Sequence, residues 1–176
     1  LSCIGTRPGW SFRNSASSSR NGCARLPALK TSSGPDSSCA VAVAAAAVLL
    51  HLYVAPSPRR ELPLILLATL AGVAFESLLV ASGWVQAEAL PLWMVALWAA
   101  FATTLNVSLR ALRRRYVLCA FIAAVGAPLA YEAGSALGAM QWVEATPALL
   151  LVGCGWALLL PLLMRIAERF DGFAAR

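Results

Sequence analysis

The chain has 176 residues, of which 60% are hydrophobic and 12% charged, with a formal net charge of +6. A soluble domain is about 45–50% apolar and about 25% charged, so a water-soluble globule is excluded and lipid must solvate the outside of each helix. Nor does the positive charge point to nucleic acid, because the arginines form no single stripe and lie between apolar blocks.

Residues 1–38 are rich in Ser, Gly, Arg and Pro, carry one acid, Asp36, and contain no apolar run. Such a segment cannot bury enough surface to offset its ordering entropy, which predicts a disordered tail. Its Arg and Ser enrichment also fits an organelle transit peptide. A mistranslated or fragmentary start is a third reading, and Leu1 in place of Met favours it.

Apolar blocks follow at residues 40–54, 62–85, 90–109, 116–140 and 147–166. They define a transmembrane domain over residues 39–170, with 171–176 left as a cytoplasmic tail. Blocks two to five each reach about 20 residues, the length of a span, whereas the first is short and Ala-rich. Open strands would leave polar backbone in lipid, so helix is the required state. The expectation is an all-α, multi-pass transmembrane helical bundle of about five spans.

The loops set an orientation. Arg59 and Arg60 precede block two, and Arg110, Arg113, Arg114 and Arg115 separate blocks three and four. Arg165, Arg169 and Arg176 close the chain, while the two intervening loops carry only Glu88 and Glu144. By the positive-inside rule the arginine loops and the C-terminus are cytoplasmic, and Trp84, Trp93 and Trp142 form a belt at the opposite interface. Five spans would then place the basic tail, with Arg7, Arg13, Arg20, Arg25 and Lys30, on the wrong side.

Ionisable groups inside a bilayer cost at least a few kcal/mol, so each is a candidate site. Glu76 in block two and Glu132 in block four lie at matching depth, roughly 20–25 Å from the cytoplasmic end. If the helices touch, the two carboxyls share a site for a proton or a cation. Thr69 lies on the Glu76 face, and Pro128 and Ser135 lie on the Glu132 face, where Pro128 frees the carbonyl of Ala124. The plainer alternative is that each polar group bonds a neighbouring helix.

Block three places Thr103, Asn106 and Arg110 on one side, where Asn106 bonds another helix or, with Arg110, holds a headgroup. Arg110, Arg113, Arg114 and Arg115 are the expected contacts for anionic lipid at the cytoplasmic face, besides fixing topology. Gly126, Ala130, Gly134 and Gly138 form a small-residue ridge suited to close helix packing or to a homo-oligomer.

Several chemistries leave no trace. Five cysteines without a CxxC pair and a single histidine, His51, give no metal site, and no cofactor fingerprint or nucleophile elbow appears. Cys119 and Cys154 read as small packing residues, and His51 has no evident task.

From about Leu64 to Ile166 the chain resembles a family of small bacterial inner-membrane proteins catalogued as domain of unknown function 2878. The resemblance is carried by "FESLL" at Phe75–Leu79, "PLWMVALWAAFATTLNVSL" at Pro91–Leu109, "GAPLAYEAGSALGA" at Gly126–Ala139 and "WALLLPLL" at Trp156–Leu163. It implies a bundle of about five or six helices in the inner membrane. Members often show Asp where Glu76 stands and His where Val107 stands, and usually begin with a further apolar segment. The resemblance implies no established activity. Three functions stay open: a polar intramembrane pocket for a small solute, proton or lipid; a membrane enzyme of lipid metabolism; or a structural partner.

Overall fold

The computed structural model describes residues 35–86 and 90–173. They form α1 (Pro35–Val54), α2 (Pro58–Ala81), α3 (Leu92–Thr104), a 3₁₀ turn (Ser108–Leu112), α4 (Tyr116–Ala136) and α5 (Ala145–Arg169). The expected disordered tail lies outside the described residues up to position 34, but 35–38 already belong to α1. Pro58 opens α2 where a missing N–H costs nothing. Pro63, Pro128 and Pro161 sit inside helices that continue through them, as bilayer helices tolerate.

The all-helical expectation holds among the described residues, and four helices are long and apolar enough to cross a membrane. The fifth helix, α3, is shorter. The third apolar block is long enough by count, but α3 has only 13 residues, about 20 Å against a hydrocarbon core of about 30 Å. Its end is built into the sequence. Thr103 and Thr104 hydroxyls donate to the Ala100 and Phe101 carbonyls, each at 2.7 Å. The Leu105 amide then tightens to the carbonyl of Ala102. The chain leaves the helix there, and Asn106 turns inward.

The elements run antiparallel. Trp98 of α3 reaches Glu76 late in α2, whereas Asn106, just beyond α3, reaches Glu61 in the first turn of α2. The arginine-bearing segments therefore gather at one end. At the other end the turns after α2 and α4 are clipped together: Gln86 N–H donates to Gln141 O and Val143 N–H to Trp84 O, both at 2.8 Å. Trp84 and Trp142 thus lie together at the end without arginines.

Two apolar clusters fill the interior. Leu64, Ala68, Trp98, Leu105, Leu163 and Met164 occupy the arginine end, and Leu79, Val85, Ala148 and Val152 the other. Close contacts depend on glycine. A Cβ at Gly155 would stand 2.2 Å from the Phe75 ring, and one at Gly153 would stand 3.1 Å from the Ala124 carbonyl. The carbonyl freed by Pro128 therefore faces the α5 backbone and lines no polar pocket. Outward residues stay apolar: Val117 is 86% exposed and Leu158 76%, a surface that only lipid or a partner can cover.

The ridge on α4 does not pack within the chain. A Cβ at Gly126 or Gly134 would meet nothing within 4 Å, and Gly138 lies beyond the helix with φ of +80°. Cys119 is buried and donates to the Leu112 carbonyl, whereas Cys154 is exposed and fills no core.

Candidate functional site

Glu76 is 3% exposed on the inner face of α2. Gly72, one turn earlier, leaves room for the Trp98 ring, which a Cβ there would meet at 1.9 Å. The Trp98 indole N–H donates to Glu76 Oε1 at 3.4 Å, and the Tyr131 hydroxyl donates to the same oxygen. Trp98 stacks on Trp156 at 4.9 Å, and Phe101 sets its edge against both rings. Tyr131 in turn stacks with Trp142 at 6.5 Å. The result is a carboxyl in an aromatic box built by α2, α3, α4 and α5. No cation pairs with it among the described residues.

Glu132 is not part of this box. It follows Tyr131 by one residue, a turn of about 100° around the helix, and it is exposed. The carboxyl pair expected from matching depth is therefore a carboxyl–phenol pair. Thr69 and Thr103 spend their hydroxyls on carbonyls of their own helices, Ile65 and Ala100. Ser135 makes no side-chain hydrogen bond among the described residues, so neither it nor the threonines contribute to the box.

A second polar cluster stands at the arginine end, and sequence reasoning found only part of it. Glu61 is wholly buried. His51 Nε2 shares a hydrogen bond with its Oε2 at 2.9 Å, while Asn106 Nδ2 and the Gly172 amide donate to Oε1 at 2.8 and 2.6 Å. Arg113 continues the chain of bonds, donating to Asn106 Oδ1 at 2.6 Å and to Asp171 Oδ2 at 2.5 Å. Asn106 also donates to the Phe170 carbonyl, and the Ser57 amide to that of Gly172. Phe173 sets its ring 5.3 Å from His51.

This cluster ties α1, α2, the turn after α3 and the end of α5 into one junction. Asn106 bonds across helices, the plainer of its two expected roles. Arg113, only 17% exposed along its side chain, turns inward and is not available to a headgroup. Asp171–Phe173 are part of the junction and not a free tail. His51, Glu61 and Asp171 escaped the sequence reading. Glu61 looks like a charge at a helix start, and its partners lie as far as 111 positions away.

Asp171 stands outside the spans and titrates predictably. Burial pushes its carboxyl up, but the Arg113 and Phe173 hydrogen bonds and the charges of Arg113 and Arg110 together hold it below its ordinary value. A carboxyl with a depressed folded pKa stabilises above its unfolded pKa and loses that contribution as pH falls through the folded one. Thermal stability should therefore drop as the medium is acidified below about pH 4. Asp171→Asn should start lower and show a flatter acid limb in the same unfolding series.

Over residues 34–162 the chain matches the family model described as protein of unknown function, DUF2878. The chain belongs to this family. No curated protein and no solved structure matches it significantly. The DUF2878 match begins beside the first residue of α1 and takes in Glu76, Trp98, Tyr131 and Trp156, so the aromatic box lies wholly within the family segment. Glu61, Asn106 and Arg113 also fall inside it, whereas Asp171 and Gly172 fall beyond it.

Proposed function

We propose that this DUF2878 member is a multi-pass protein of a bacterial inner membrane that binds a small organic cation in exchange for a proton at Glu76. The arginine end and the C-terminus would face the cytoplasm, as the positive-inside rule orients them. One observation carries the reading. Glu76 is buried in the spanning part of α2, receives hydrogen bonds only from the neutral donors Trp98 and Tyr131, and has no cationic partner among the described residues. A bare carboxylate in hydrocarbon is costly. A proton neutralises it in one state and a bound cation in the other. The open ridge on α4 is the face a second copy would use.

The test is binding of tetraphenylphosphonium to the purified full chain, read by intrinsic tryptophan emission. The ion should bind more weakly as pH falls, because protons compete for Glu76. Glu76→Gln should bind about tenfold more weakly or worse, the scale of losing a charge-assisted contact, and should lose the pH dependence while keeping its helical content. Equal binding by the Gln variant would remove Glu76 from the site.

A further inference from the structure

We propose that the first turn of α4 holds one anionic phospholipid, with its phosphate on Arg114 and Arg115 and an acyl chain along Val117, Leu118 and Phe121. The inference does not depend on the Glu76 reading. The structure sorts the four arginines of this turn. Arg113 is committed to Asn106 and Asp171, and Arg110 leans on Asp171 at 3.6 Å and on the Phe173 carbonyl. Arg114 takes φ of +62°, a left-handed conformation uncommon for a long side chain. Its amide is held by Glu168 Oε1 at 3.2 Å. That reversal separates Arg113, directed inward, from Arg114 and Arg115, which are exposed.

Neither exposed guanidinium has an ion-pair partner among the described residues. Glu168, the nearby acid, already accepts from the Arg114 amide and from the Tyr116 hydroxyl at 2.9 Å. Arg165 adds a third positive charge, 5.5 Å from the centre of the Tyr116 ring. Below these charges Arg114, Arg115, Tyr116, Val117, Leu118 and Phe121 line a shallow groove whose wall is almost wholly apolar. Phe121 is 67% exposed. Charge above and hydrocarbon below match the two parts of an anionic lipid. A free phosphate would use only the first, and a zwitterionic lipid would bring its own cation to the arginines.

The experiment titrates the purified full chain with phosphatidylglycerol, phosphatidylcholine or soluble glycerol phosphate and counts retained ligand by native mass spectrometry. One phosphatidylglycerol should be retained preferentially. Arg114→Gln/Arg115→Gln should weaken its binding roughly 30-fold, and Arg115→Gln alone roughly fivefold. Arg59→Gln/Arg60→Gln makes the same charge change elsewhere at this end of the bundle and should leave the lipid bound. Equal weakening by that control variant would reduce the effect to general attraction and overturn the proposal. Equal retention of phosphatidylcholine, or glycerol phosphate binding as tightly as the lipid, would also overturn it.

Discussion

Glu61→Ala should cost about 3–5 kcal/mol of stability, the scale of removing one partner from a buried charged cluster. The carboxyl is shared by His51, Asn106 and the Gly172 amide, with Glu61 and Asn106 themselves fully buried. Removing it strands the Asn106 and Gly172 donors together, and each unsatisfied buried donor carries a desolvation penalty of about 1–3 kcal/mol. His51→Ala removes one partner and leaves the other two paired, so its loss should be clearly smaller. Circular dichroism during heating in a fixed detergent would compare them. An unchanged midpoint for Glu61→Ala would mean that the junction does not hold the bundle together.

The second large effect is expected at Gly72. An added methyl would lie 1.9 Å from Trp98 Cδ2 and inside contact distance of the neighbouring ring atoms. Trp98 cannot retreat freely, because Trp156 stacks on it and Phe101 stands edge-on to both. Overpacking of this kind typically costs about 1–3 kcal/mol, and a fixed ring pushes Gly72→Ala to the upper part of that range. The displaced indole would also leave Glu76, so tryptophan emission should change along with the unfolding midpoint. Gly126→Ala is the matched control. That site is open, and alanine should raise helix stability by up to about 1 kcal/mol. Similar outcomes at both positions would contradict the tight approach of α3 to α2.

The long helices were legible because hydrophobic length is a local property: each block can be counted without knowing its neighbours. Glu76 was legible for the same reason, as a lone acid within an apolar run. The end of α3 was not, because a count of apolar residues passes over Thr103, Thr104 and Asn106. Those residues do carry the signal, since two hydroxyls that bond back along the helix followed by an amide mark a place where the chain can turn. Glu132 was misassigned because depth along a helix was known and rotation about it was not. The Glu61 junction was the hardest to read. Its bonds span 10, 45 and 111 positions, and no local pattern links a histidine ending one helix to a glycine beyond the last.

That junction also constrains the order in which the protein can be made. Glu61 and Asn106 leave the ribosome and enter the membrane well before Asp171 and Gly172 exist. Until α5 is in place, a carboxylate and an amide at the arginine end must be satisfied by water or lipid headgroups instead of by their final partners. The half-made bundle therefore lacks two of the junction's partners until the residues after α5 follow. A chain truncated after α5 would keep all its described apolar helices yet lack the residues that lock them.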